Sequence, residues 1–166
     1  MEKIDLIIEK CRENAIIPTY ANDGDAGMDL YSCEDVVIEP GRSALIATGL
    51  KMAIPYGYEV QIRPRSGISL KTPLRVPNSP GTIDCGYRDE VNVIIYNAST
   101  KEENKDGEMW TLSDKGCKHG TYLIRKGDRI AQMVLAQVSY ANPVIVDSVA
   151  DIGKNRGGGF GSSGIQ

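Results

Sequence analysis

The sequence predicts an all-β fold built from antiparallel strands, with one short helix. Three observations carry this. Short alternating or apolar runs recur along the chain, Gly/Pro turn signals separate them, and helical periodicity is nearly absent. Many short strands at such spacing belong to a sandwich, a barrel or a jelly roll.

The elements follow in order. Ile4–Ile8, Val36–Ile38, Ser43–Thr48, Glu59–Arg63, Glu90–Tyr96, Tyr122–Arg125 and Arg129–Gln137 are read as strands. Asp23-Gly24, Pro40-Gly41, Pro55-Tyr56-Gly57, Pro80-Gly81 and Lys126-Gly127 mark turns between them. Ser66–Lys71 is the one helical stretch, and Pro73 limits its length. Residues 98–120 are polar and charged around an apolar island at Met109–Leu112, and read as an insertion between two strands with its own small hairpin. From Gly153 to Gln166 the chain holds six of its 18 glycines and a lone Phe160, a composition that cannot pack a core. Residues 1–152 therefore form one β domain, and 153–166 a mobile arm.

Composition narrows the function classes. At 166 residues the chain can bury a core without metals or disulfides. A net charge of −3 speaks against broad nucleic-acid binding, which needs a basic face, but not against a pocket with a few arginines. Cys11, Cys33, Cys85 and Cys117 make no C-x-x-C pair, and His119 is the only histidine, so no zinc constellation is present and free thiols in a reducing compartment are expected. The N-terminus MEKIDLIIEK lacks the apolar core of a signal peptide, and no segment spans a bilayer. The expected location is the cytoplasm.

Five segments could carry chemistry, each with a plainer reading beside it. In Asp25-Ala26-Gly27-Met28-Asp29-Leu30, Asp29 can orient a metal-bound water or cap a turn. Where Arg63-Pro64-Arg65-Ser66-Gly67 leads into the helix, free N–H groups of Ser66 and Gly67 beside Arg65 suit a phosphate; the plainer reading is a capped helix with a surface arginine. In Asn78 to Val91, Cys85-Gly86 as a two-residue hairpin loop sets Asp84 and Tyr87 opposite each other, with Gly86 free to supply positive φ. A carboxylate beside a flat ring can activate a water next to a sugar or base, and Asn78 can read a base edge; an ordinary polar tip fits as well. Asp128-Arg129 reads as a structural ion pair, whereas Gln132, inside an apolar run, needs a partner. In the tail, glycines around Phe160 let its ring cover a flat ligand with Arg156 nearby, although Gly-Ser-Ser-Gly also resembles a linker.

Taken in order, DAGMDL, RPRSGIS, GTIDCGYRDEV, GDRIAQMV and GGGFGSSG resemble the five motifs of the trimeric dUTPase family, over roughly Asp25 to Gly164. The resemblance implies a jelly-roll-like protomer in a homotrimer whose active sites are shared between chains. It implies Mg²⁺-assisted hydrolysis of dUTP to dUMP and pyrophosphate. Asp84 would activate the water and hold the 3′-hydroxyl, and Tyr87 would lie under the deoxyribose. Asn78 and the backbone of Gly81, Thr82 and Ile83 would pair with uracil. Arg65, Ser66, Gly67, Gln132 and Arg156 would contact phosphates, Asp29 would act on the metal through water, and Phe160 with Gly161 would close over the base. Two departures stand out: Asp89 where the pattern has Gly, and Arg156 one residue nearer Phe160 than usual, so that Asn155 or Lys154 could take its place. The 98–120 insertion is longer than in ordinary members, and similar insertions can bind regulatory proteins. The competing readings are a dCTP deaminase of the same fold, for which no base-activating motif is found, and a binding module acting through 98–120.

Overall fold

The computed structural model describes residues 3–103, 107–155 and 157–158. Eleven strands and one α-helix stand in chain order: β1 (Ile7–Lys10), β2 (Met28–Tyr31), β3 (Val36–Ile38), β4 (Ser43–Ala53), β5 (Tyr58–Arg63), α1 (Ser66–Lys71), β6 (Leu74–Arg75), β7 (Gly81–Ile83), β8 (Val91–Asn97), β9 (Met109–Thr111), β10 (Thr121–Ile124) and β11 (Arg129–Gln137). They form three sheets, ordered β1-β4-β8-β6, β3-β10-β9 and β2-β11-β5-β7. Every pairing is antiparallel except β9 with β10. The all-β expectation with one short helix is met.

Alternation sets which residues face inward. In β8, Val91, Val93 and Ile95 are buried while Asn92, Ile94 and Tyr96 are only partly covered, the period of two that a pleated strand imposes. These residues meet Ile46 and Leu50 of β4, Leu30 of β2, Val60 and Ile62 of β5, and Ile130 and Met133 of β11 in one core shared by all three sheets. Truncating such a side chain to Ala removes about 2–5 kcal/mol.

Several boundaries differ from the sequence reading. The first strand lies at Ile7–Lys10, where it can pair with Leu50–Ala53, rather than at Ile4–Ile8. β4 continues past Thr48 to Ala53 through a bulge between Ala47 and Leu50. Gly49 sits there at φ +73, and a Cβ on it would lie 2.7 Å from the Ala15 Cβ, so the irregularity needs glycine. Among the described residues the insertion forms no hairpin of its own, and β9 adds in parallel to β10. α1 ends at Thr72, whose hydroxyl and N–H both donate to the Ile68 carbonyl, just before Pro73.

Candidate active site

The β2-β11-β5-β7 sheet builds the site. Asp29 of β2 lies directly across from Gln132 of β11, and Gln132 lies across from Arg63 of β5. These three therefore form a row across adjacent strands on one face. Pro64 then ends β5, and the chain turns into α1 through Arg65 with no side chain capping the helix. The row and the turn enclose a cavity of about 350 Å³, lined by Arg63, Arg65, Ser66, Gly67, Arg129 and Gln132 together with residues of the Ala21–Asp29 stretch.

Its electrostatics centre on Asp29. Arg65 Nε donates to Asp29 Oδ1 at 2.8 Å and Arg129 Nη1 to Oδ2 at 3.1 Å. Each arginine spends one N–H on Asp29 and keeps the rest of its fork for a ligand. Asp25, the other carboxylate on the wall, is satisfied by the backbone N–H and side-chain amide of Asn22. Three guanidiniums against two carboxylates make the cavity cationic. Gln132 Nε2 donates to the Pro64 carbonyl at 2.9 Å, which gives the inward amide the partner it needs. Gly27 is close beneath it: a Cβ there would lie 2.5 Å from Gln132 Oε1.

A second group lies on β7 and its flanks. Gly81 and Ile83 pair with Ile62 and Val60 of β5, and the Asn78 amide lies over Gly81, 3.1 Å from where a Cβ would stand. Tyr87 N donates to the Asp84 carbonyl at 3.0 Å, so the Cys85-Gly86 turn forms as read. Here the hairpin expectation needs correction. β7 pairs with β5, whereas β8 departs to pair with β4 and β6, so no ladder follows the turn. Gly86 does not adopt positive φ either. Other contacts hold the turn instead. Arg88 Nη1 donates to the Cys85 and Tyr87 carbonyls, each at 2.7 Å, and Tyr87 Oη donates to the Glu90 carbonyl at 3.0 Å. Glu90 is in turn fixed by Arg12 at 2.8 Å and by Gly49 N at 2.8 Å. The Arg12–Glu90 hydrogen bond, then their charge attraction, raises the guanidinium pKa above its usual value. Asp89 is exposed at a bend, where no close packing forbids its side chain. Tyr140 stacks on Tyr56 with ring centroids 6.1 Å apart, and charge on Cys85, Tyr56 and Asp84 pushes its phenol upward.

The structure thus gathers Asp29, Arg65, Ser66, Gly67 and Gln132 in one cavity, and Asn78, Gly81, Thr82, Ile83, Asp84 and Tyr87 around β7. It leaves Asp84 apart from the cavity, although Gly81, across from Ile62, starts β7 beside Arg63. Asp84 follows Ile83 at the Tyr58 end of β5, and the cavity lies at the Arg63 end, roughly 13 Å apart at strand rise. Arg156, Phe160 and Gly161 lie outside the described residues. Two cavity arginines are not among the expected site residues, Arg129 being read from the sequence as the ion-pair partner of Asp128. Arg129 pairs with Asp29 rather than with its neighbour Asp128, whose carboxylate accepts from Arg125 N. Arg63 stands two residues before Arg65, which by strand alternation returns it to the same side, and that spacing was the available signal.

A divalent cation could enter only in part on protein groups. Among the described residues no three His, Cys, Asp or Glu side chains converge as a metal cage. Asp29, with each oxygen already on one arginine, retains lone pairs for a water of the ion's shell. This donor set suits Mg²⁺ carried by phosphates, an ion that keeps its waters.

The fold and site define an all-β protein with a cationic cavity on one sheet. Comparison with known proteins gives the family. The dUTPase family model matches residues 13–104. A deoxyuridine 5′-triphosphate nucleotidohydrolase of Picosynechococcus is 44% identical over 93% of this chain and 95% of its own length. The enzyme of the same name from Clostridium tetani is 40% identical over 99% of both. Among solved structures, the Staphylococcus bacteriophage 80alpha dUTPase with dUPNHPP superposes with a TM-score of 0.87 at 31% identity, covering 98% of this chain and all of the other. A mutant dUTPase from phage phi11 of S. aureus, described with a structural Mg(II) ion, gives 0.78 at 32% identity over 87% of this chain and 98% of its own. The chain belongs to the dUTPase family. No helix among the described residues is long and apolar enough to cross a membrane.

Proposed function

We propose that this chain hydrolyses dUTP to dUMP and pyrophosphate, keeping uracil out of DNA and supplying dUMP for thymidylate synthesis. The observation that carries this reading is the Arg65–Asp29–Arg129 cluster beside Gln132, Ser66 and Gly67 in a cationic cavity. Arg65, Ser66, Gly67 and Gln132 bind the phosphates. Uracil pairs with Asn78 and the backbone of Gly81, Thr82 and Ile83, and swapping its carbonyl for the amine of cytosine mismatches those groups. The Tyr87 ring, held by its bond to the Glu90 carbonyl, lies under the deoxyribose and leaves no room for a 2′-hydroxyl. Asp84 takes the proton of the water that attacks phosphorus, while the guanidiniums stabilise charge growing on the leaving oxygens. Asp29 would hold a Mg²⁺ ion of the triphosphate through water, and the ion would supply further neutralisation of that charge. The 153–166 arm, with Arg156, Phe160 and Gly161, closes over the ligand and excludes water.

Three copies complete the site. Roughly 13 Å separates Asp84 from the cavity of its own chain, so the Asp84 turn of one chain faces the cavity of a neighbour in a homotrimer. The test is pyrophosphate release in Mg²⁺ with dUTP against dTTP, dCTP and UTP. Only dUTP should turn over quickly, and Asp84→Asn should lower kcat by about 10²–10⁴. Ammonia released from dCTP would point to the deaminase reading instead.

A second reading concerns the insertion as a docking surface for a regulatory protein. Exposed Met109 at the edge of the β3-β10-β9 sheet favours it. Trp110 does not, because its Nε1 donates to the His119 carbonyl at 3.0 Å and its ring packs against the core. Met109→Glu should weaken any such complex at least tenfold and leave hydrolysis intact; a complex of unchanged affinity would remove this reading.

A further inference from the structure

The insertion also holds a constellation that nucleotide hydrolysis does not use. Cys117 Sγ lies 3.7 Å from His119 Nε2, and His119 Nδ1 lies 3.0 Å from Glu103 Oε1. Nδ1–H donation to Glu103 turns the Nε2 lone pair toward the thiol. We propose that Cys117, His119 and Glu103 form a nucleophilic thiol site that takes a low-molecular-weight disulfide.

Three features make this more than an exposed cysteine. The histidine backbone is fixed from several directions. Trp110 Nε1 donates to the His119 carbonyl at 3.0 Å, Tyr122 Oη to the Lys118 carbonyl at 2.8 Å, and Gly120 N to Ser99 Oγ at 3.0 Å. The carboxylate is fixed too: Thr100 N donates to Glu103 Oε2, which with the His119 contact holds Glu103 below the usual carboxylate range and keeps it charged at neutral pH. The remaining neighbours do not compete for the proton. Asp114 is tied to Thr111 N and Oγ, burial pushes the Tyr122 phenol up to about 12, and Lys118 is drawn 5.0 Å from the Trp110 ring centroid. Of the four cysteines, Cys117 is the exposed one, whereas Cys33 is buried and Cys11 and Cys85 are half-buried.

The chemistry balances without a further reagent. His119 Nε2 takes the Sγ proton as the sulfur attacks one sulfur of the disulfide. The new S–S bond forms, the old one breaks, and the departing thiolate takes the proton from His119 to leave as a thiol. A free thiol is only a few per cent ionised near neutral pH, so a base on its proton speeds attack by roughly tenfold even after the loss in intrinsic nucleophilicity. The product carries a mixed disulfide on the insertion surface.

The experiment treats the full-length protein with dipyridyl disulfide near neutral pH. Released thiopyridone gives the rate, and peptide mass spectrometry locates the modified cysteine. Cys117 should react first, at least about tenfold ahead of Cys11 and Cys85. His119→Asn should slow Cys117 by about tenfold with hydrolysis of dUTP and the melting temperature unchanged. Glu103→Gln should also slow it, by freeing the imidazole to rotate. Trp110 fluorescence reports whether either variant disturbs the insertion. Wild-type reactivity of Cys117 in His119→Asn or Glu103→Gln, or modification of Cys117 no faster than that of Cys11, would overturn the proposal.

Discussion

Asp29 shows how one side chain organises a ligand site before the ligand arrives. Two guanidiniums brought together in a partly buried cavity repel each other, and a carboxylate between them removes that cost. Each arginine gives Asp29 a single N–H, so the remaining donors of both forks stay free while the pair is held in place. Gln132 depends on a different kind of support. Its amide fits only because residue 27 has no side chain, since a Cβ there would lie 2.5 Å from Oε1 and 3.3 Å from Cδ. Gly27→Ala should therefore act on binding more than on folding, because the displaced atoms belong to the free end of a flexible side chain. The Gln132–Pro64 hydrogen bond is lost at a cost of about 1 kcal/mol, and KM for dUTP should rise by roughly tenfold with little change in kcat. Steady-state kinetics with a melting curve separates these outcomes: a large fall in melting temperature with unchanged KM would contradict the argument.

At the scale of elements, the insertion and the core respond differently to acid. The insertion is tied down by carboxylates. Asp114 accepts from Thr111 N and Oγ, and Glu103 from Thr100 N, and these hydrogen bonds hold both acids below their usual range. A carboxylate depressed in the folded state stabilises it above its unfolded pKa and loses that contribution as pH falls through the folded value. The insertion should loosen as pH drops below the ordinary carboxylate range of about 4, while the apolar core holds. Trp110, the only tryptophan, sits in this element and gives a local signal. Its fluorescence should change at a higher pH than the far-ultraviolet dichroism; coincident transitions would show that the insertion and core melt together. Legibility in the sequence follows the same division. β8, with buried Val91, Val93 and Ile95, and α1, bounded by Pro64 and Pro73, announce themselves through local pattern. The parallel β9–β10 pairing and the choice of β5 over β8 as partner of β7 do not, because pairing is decided by core packing between distant segments. For the same reason, Asp29, Arg65 and Gln132 could be named singly as candidates, but the Asp29–Arg129 bond spans 100 positions and no local motif encodes it.

At the scale of the molecule, one chain leaves two things unfinished. Residues 138–152 run without strand pairing and expose Tyr140, Val144, Ile145, Val149 and Ile152, an apolar series that a monomer has no reason to display. The Asp84 turn and the phosphate cavity also lie at opposite ends of β5. The proposed symmetric trimer would answer both, by covering the apolar series and setting the Asp84 turn of one chain against the cavity of another. This arrangement makes a prediction that a self-contained site cannot share. Asp84→Asn and Arg65→Ala should each be close to inactive alone, the first for want of a base and the second for want of a phosphate cation. Mixed chains, unfolded together and refolded, can place an intact Asp84 from the Arg65→Ala chain beside an intact Arg65 from the Asp84→Asn chain. With equal amounts and random assembly, about a quarter of all sites receive both residues, and activity should recover to about that fraction of the native rate. Sites held within single chains would recover nothing, since every chain carries one lesion. Pyrophosphate release from dUTP, measured on the refolded mixture against each variant refolded alone, decides between the two architectures.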